Sequence, residues 1–236
     1  MKTSTIMIIT AVLVTFASLT AFNIDVKKVY QSGAYKSRFR GMDFTSLNGV
    51  NDISILTADR MSVKIEHGEK EGIWISSSEK QDVIPRVKGN TLELDLAAES
   101  KTTGFRSWAD IIIITKNVAK LHLVSGDGNH DPNGYENGDI QMKGYKLNDF
   151  DLSISKFVNV NLNANTIKNL KAQVGNEKEG KARLSISSDS EINTAQFNVP
   201  GASTLQLYNP KLVKAVYNLS DSATVTLNGK VVQTIK

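Results

Sequence analysis

Cysteine is absent from this chain of 236 residues. That excludes disulfide frameworks, zinc-thiolate sites, cysteine nucleophiles and a lipid-carrying cysteine, and it leaves stability to the core. A dominant charge is lacking as well. Lys and Arg number 28 against 24 for Asp and Glu, a formal charge of +4. The basic residues are scattered, apart from a modest cluster after the apolar start, so no nucleic-acid partner is expected. Catalytic signatures are missing too: the sequence holds no H-E-x-x-H, no G-x-S-x-G elbow, no phosphate loop and no dinucleotide fingerprint. No metal or small-molecule cofactor is expected, and the chain reads as non-enzymatic.

What is present begins with a long apolar run. Thr3 to Ile24 is an uncharged stretch of 22 residues. As a helix it spans about 33 Å, close to the ~30 Å of a hydrocarbon core. Ile6, Ile9, Val12, Leu13, Phe16, Leu19 and Phe22 would meet the lipid. A cleaved signal peptide is the competing reading, but the exits at Thr15-Phe16-Ala17 and Leu19-Thr20-Ala21 are poor. Residues 1–24 are therefore expected to be an uncleaved membrane anchor. Residues 25–43 read as a juxtamembrane linker, where Tyr30, Tyr35 and Phe39 mix with basic residues suited to headgroups. Counted literally, Lys27, Lys28, Lys36, Arg38 and Arg40 against Lys2 place the bulk of the chain in the cytoplasm.

From residue 44 to 236 the pattern has period two. Ser62-Val63-Lys64-Ile65-Glu66 and Thr91-Leu92-Glu93-Leu94-Asp95-Leu96 alternate as half-buried strands do. Ile111 to Ile114 is continuously apolar, as expected for a strand covered on both faces. In the second half Val160, Leu184, Leu205 and Val225 recur at steps of 24, 21 and 20 residues. Ile167, Ile192 and Leu212 recur at 25 and 20. Such spacing predicts an all-β, single-stranded parallel β-helix, a solenoid whose coils bury one another's aliphatics. A two-sheet sandwich also gives alternation, but less readily this recurrence. Val158, Val160 and Leu162 are expected to point inward, and Asn159, Asn161 and Asn163 outward. Val225 to Val232, with Asn228-Gly229 at its centre, reads as a closing hairpin.

This pattern of strands and turns resembles the GIN-domain family, also labelled auto-transporter adhesin head domains, over about residues 42–230. The matching residues run from Phe44-Thr45-Ser46-Leu47-Asn48-Gly49 to Ile55, through Val63-Lys64-Ile65-Glu66 and Gly89-Asn90-Thr91-Leu92, to Leu121-His122-Leu123-Val124-Ser125-Gly126. The resemblance implies a right-handed β-helix in the bacterial cell envelope and carries no catalytic residues. It also implies a domain facing the periplasm, anchored in the inner membrane, against the literal charge count. From the anchor, the repeating period and the missing catalytic constellation, the expected partners are the membrane itself and envelope proteins or surface glycans.

Five residues are candidates for surface sites. Asp127 and Asp131 lie in a polar loop, residues 125–139. There Asn129, Asp131, Asn133 and Gly134 approach a calcium loop, although Ile140 stands where a bidentate Glu is needed. Asp149 and Asp151, with Lys143 and Lys146 nearby, are the minimum for a carboxylate pair, and so for a polysaccharide-active enzyme as the alternative function. Trp108 sits in the loop Gly104-Phe105-Arg106-Ser107-Trp108 and is the aromatic best placed to meet a sugar; Trp74, between Ile73 and Ile75, should pack on a strand. His67, His122 and His130 have no ligand spacing.

Overall fold

The structure is a computed structural model that describes residues 3–32, 37–126, 137–178 and 180–234. It divides into two compact units, Met1–Met42 and Asp43–Lys236.

In the first unit, helix α1 runs from Thr3 to Ser32, past the apolar stretch and into the charged segment. Thr3–Lys28 is long and apolar enough to cross a membrane, and a signal sequence near the N-terminus passes the same test. The apolar side chains from Ile6 to Phe22 are exposed all round. Three hydroxyls in this stretch are turned back onto the helix: Thr10, Thr15 and Thr20 donate to the carbonyls of Ile6, Ala11 and Phe16 at 2.9, 2.9 and 2.8 Å. In hydrocarbon this removes the penalty of a bare hydroxyl.

The second unit begins with β1 (Met42–Ser46), β2 (Asp52–Ile55), β3 (Ser62–His67), β4 (Gly72–Ser76), β5 (Val83–Lys88) and β6 (Thr91–Leu96). A short helix α2 (Ala98–Thr102) precedes β7 (Ile111–Thr115) and β8 (Lys120–Leu123). Then come β9 (Gly138–Lys143), β10 (Lys146–Ile154), β11 (Val158–Asn163), β12 (Thr166–Val174) and β13 (Arg183–Ile186). The last strands are β14 (Glu191–Val199), β15 (Thr204–Tyr208), β16 (Lys211–Leu219) and β17 (Thr224–Asn228).

These strands form two large sheets, which overturns the expected single-stranded β-helix. One sheet has nine strands in the order β1-β4-β7-β3-β9-β11-β13-β15-β17; the other has eight, β16-β14-β12-β10-β8-β2-β6-β5. The chain does not coil uniformly. β2 lies between β6 and β8, and β3 lies between β7 and β9. Two pairs are antiparallel, β4 with β7 and β5 with β6. Gly89, at φ +61°, supplies the left-handed position that closes the β5–β6 hairpin. Alternation in a strand dictates which side chains turn inward, but it does not choose the neighbouring strand.

From β9 onward, alternate strands pair in parallel at fixed register. Val160 lies opposite Leu184, Leu184 opposite Leu205 and Leu205 opposite Val225. In the other sheet Ile167 meets Ile192 and Ile192 meets Leu212. The recurring aliphatics are thus cross-strand partners within two sheets. Val158, Val160 and Leu162 are fully buried, whereas Asn159, Asn161 and Asn163 are only partly covered. Ile111 to Ile114 are all buried.

The long strands of the eight-stranded sheet share a bend. In β10 the inward residues are Leu147, Phe150, Leu152 and Ile154, so Asn148 and Asp149 are exposed in succession. β12 repeats this at Lys168 and Asn169, and β14 follows with exposed Asn193 and half-buried Thr194. The registers pass from Leu147↔Ile167 to Asp149↔Asn169, and from Ile192↔Leu212 to Thr194↔Lys214. An extra residue accommodated at the same place in neighbouring strands bends them together.

Turns beside the sheets are fixed by buried polar groups. Asn165, fully buried, accepts the N–H of Tyr145 at 3.0 Å and donates from Nδ2 to the Met142 carbonyl at 2.9 Å. The Tyr145 hydroxyl meets Thr115 Oγ1 at 2.9 Å. The C-terminal hairpin does not form. After β17 the chain enters a 3-10 segment, Gly229–Thr234, that buries Val231 against the core. The Lys230 N–H is held by Asn209 Oδ1 at 3.1 Å.

Candidate functional site

The outer faces of both sheets carry polar rows tied across strands. On the eight-stranded sheet Asn218 donates to Asn198 at 2.8 Å, and Asn198 to Gln173 at 2.9 Å. On the nine-stranded sheet Asn161 and Gln141 both donate to Asp139, each at 2.8 Å. In-register pairing places like positions side by side, so the amides of Asn218, Asn198 and Asn161 find the next strand's oxygen, whereas Gln141 bonds within its own strand.

The nine-stranded sheet also borders an open pocket of about 210 Å³. Its buried side is Met61 and Ser107; Ser62, Arg106, Asn137 and Asp139 supply polar groups, and Trp108 completes the lining. The Trp108 side chain is 75% exposed. A large exposed indole is unusual in a chain that buries its other tryptophan, Trp74, at 7% exposure beside the Phe44 ring at 4.7 Å.

The backbone beneath Trp108 is fixed from below. The Glu79 carboxylate, almost entirely buried, accepts the N–H groups of Trp108 and Ala109 at 3.1 and 3.2 Å through Oε1. Its Oε2 accepts the Ser107 hydroxyl at 2.5 Å. Arg106 donates to the Asp59 carbonyl at 3.0 Å. Asp59 itself is buried, accepts the Gly126 N–H at 2.6 Å and lies 3.8 Å from the Arg60 guanidinium. The 3-10 turn Ala58–Arg60 packs so closely on Gly138 that a Cβ there would come within 1.7 Å of the Ala58 carbonyl oxygen. Only glycine fits at the start of β9.

Beside the pocket, Asp110 accepts from Ser62 at 2.8 Å and from Lys64 at 2.5 Å. Burial opposes ionisation of the Asp110 carboxyl, but the hydrogen bonds from Lys64 and Ser62 and the Lys64 charge together hold it below the ordinary carboxylate range.

Trp108 is the one sequence candidate that the structure places in this pocket. Asp149 and Asp151 lie elsewhere, exposed on β10 of the eight-stranded sheet, where Asp149 accepts the Asn169 amide at 2.9 Å. Asp127, Asp131 and the calcium-like segment fall outside the described residues. Among the described residues no group of three or more His, Asp or Glu is placed to hold a metal ion. His122 is exposed on β8, and His67 meets Tyr145 edge-on at 5.8 Å. Sequence reasoning did not single out Glu79, Arg106 or Asp139. Arg106 lies two residues from Trp108, which was the available signal; Glu79, 29 residues away from Trp108, left none.

No family model matches the chain, and no curated protein matches it. Among solved structures, a "putative adhesin" from Bacteroides fragilis is 14% identical, covers 78% of this chain and 94% of its own, and superposes with a TM-score of 0.39. A "putative adhesin" from Parabacteroides merdae is 15% identical over 80% of this chain and 95% of its own, with a TM-score of 0.36. A "putative lipid binding protein" from Parabacteroides distasonis is 13% identical over 79% and 94%, with a TM-score of 0.30. Likeness at this level transfers neither the details of the fold nor a function, and the resemblance to GIN-domain proteins stays on the strand and turn residues that suggested it.

Proposed function

We propose that this protein is a non-enzymatic display domain of the bacterial cell envelope, tethered to the inner membrane by its N-terminal helix and facing the periplasm. Residues 1–24 form the anchor, 25–43 the juxtamembrane segment and 44–236 the displayed domain. Ile6, Ile9, Val12, Leu13, Phe16, Leu19 and Phe22 contact lipid. The displayed faces take proteins or glycans.

The observation that carries this reading is the fixing of outward polar side chains by one another, across strands from Gln173 to Asn198 to Asn218 on one sheet and from Asn161 to Asp139 on the other, where Gln141 of the same strand also donates to Asp139. Side chains already held in place lose little conformational freedom when a partner docks. The fully exposed apolar helix supports the tether.

The test is fractionation of native membranes followed by protease treatment of spheroplasts. Membrane association with digestion before lysis is expected; a soluble protein overturns the tether, and survival until lysis overturns the orientation. Crosslinking and pull-down from the same membranes then identify what the domain holds.

Polysaccharide cleavage by Asp149 and Asp151 is less favoured. Both carboxylates stand exposed on a sheet face, and Asp149 is engaged by Asn169. Turnover on a glycan panel that disappears in the double alanine variant would restore that reading.

A further inference from the structure

We propose that the pocket under Trp108 binds a single neutral pyranose ring, the terminal sugar of an uncharged glycan. The inference rests on reading the domain as a binding module and names the ligand class for one of its faces.

Three observations point the same way. The first is the indole itself. A pyranose has a face of C–H groups with partial positive charge, which stacks on the negative face of an aromatic ring. Trp108 is 75% exposed, and its main chain is nonetheless anchored by a buried carboxylate through two N–H bonds and the adjoining Ser107 hydroxyl. A solvent-exposed tryptophan needs no such clamp for packing; a platform that must hold its angle does.

The second observation is the polar set that lines the same pocket. Asp139 is oriented by amide donors from Gln141 and Asn161, one on each oxygen. Each oxygen still has a lone pair, the arrangement that accepts from two neighbouring hydroxyls. Arg106, held by the Asp59 carbonyl, brings a planar donor group. Donor and acceptor lining one pocket with an aromatic match a ring bearing hydroxyls better than an apolar ligand.

The third observation is size and charge. The pocket, about 210 Å³, is below the ~300–1,000 Å³ of sites that enclose drug-sized ligands. It is open, so the ring would continue into solvent as part of a chain. Lys64 is paired with Asp110, so the charged groups lining the pocket are Asp139 and Arg106. One carboxylate, Asp139, and one guanidinium, Arg106, leave the lining without a dominant charge, which matches a neutral ring.

The experiment is a titration of the full-length protein in detergent micelles with a panel of neutral hexosides and their uronic-acid counterparts, followed by tryptophan fluorescence and calorimetry. Trp74→Phe, which keeps an aromatic ring against Phe44, isolates the Trp108 signal and serves as the background in which the variants' melting temperatures are compared. A saturable blue shift and protection from acrylamide quenching are expected with at least one neutral hexoside. Trp108→Ala and Asp139→Asn should each weaken binding by about tenfold or more while the melting temperature holds within a few degrees. Preference for the uronic acids overturns the proposal, as does undiminished binding in Trp108→Ala or silence across the panel. If the panel is silent while the protein still fractionates with membranes and crosslinks to an envelope partner, the sugar site alone falls. If the protein is soluble yet binds the hexoside, the tether alone falls.

Discussion

Glu79 Oε1 accepts the backbone N–H of Trp108, 29 residues further along the chain, at 3.1 Å. A buried carboxylate with three donors anchors the loop, and each net hydrogen bond to a charged group contributes about 1.5–3 kcal/mol. Glu79→Ala should lower stability by roughly 2–4 kcal/mol and raise acrylamide quenching of Trp108. Glu79→Gln keeps one oxygen for the two N–H groups and should lose less than half as much. Equal melting curves for wild type and the alanine variant would show that the loop is held by something else.

Tyr145 gives a pH signature. Burial, the largest effect, pushes its phenol well above the ordinary range, against the hydrogen bond with Thr115. An unfolded tyrosine ionises near pH ~10, whereas the folded one keeps its proton. Above that pH the unfolded chain binds fewer protons than the native one, so stability falls as pH rises. Below it Tyr145 contributes no pH dependence. Urea melts of wild type and Tyr145→Phe at pH 7, 9 and 11 should show a steeper decline in the wild type between the last two; parallel declines would contradict this.

Asn165 satisfies the Tyr145 N–H and the Met142 carbonyl at once. Asn165→Leu keeps the branched heavy-atom shape but removes the acceptor of the Tyr145 N–H and the donor to the Met142 carbonyl, each loss worth about 1–3 kcal/mol. A loss of roughly 2–5 kcal/mol is expected in chemical denaturation. A loss under ~0.5 kcal/mol would mean that water replaces the amide.

Leu184 sits between Val160 and Leu205 in the aliphatic column of the nine-stranded sheet, fully buried. Leu184→Asp puts a carboxylate among alkyl groups and should cost more than about 4 kcal/mol. Leu184→Val, which removes one methylene, should cost about 1 kcal/mol. Unchanged thermal unfolding in the aspartate variant would show that this column is not part of the cooperative core.

Much of the interior could be read from the residues. Val160, Leu184, Leu205 and Val225 recur because parallel in-register strands demand like residues at like positions. The sheet order could not be read. Ile53 pairs with both Leu92 and Leu121, distant in sequence and equally apolar, and period two gives no preference between them. The doubled outward positions at Asn148-Asp149 and Lys168-Asn169 look like breaks in alternation until the strands are aligned. The candidate site was legible only at Trp108. Its Glu79 support comes from a buried carboxylate in another segment, and its Asp139 acceptor from a strand that begins where a polar loop was expected.

The shared bend also limits how the gene can change length. Dropping one codon within Lys146–Ile154 would pull a kink out of line with those of Thr166–Val174 and Glu191–Val199, turning a greasy side chain to water. Insertions should therefore survive only in the connections, or arrive as whole matched sets of strands that keep every neighbour in step.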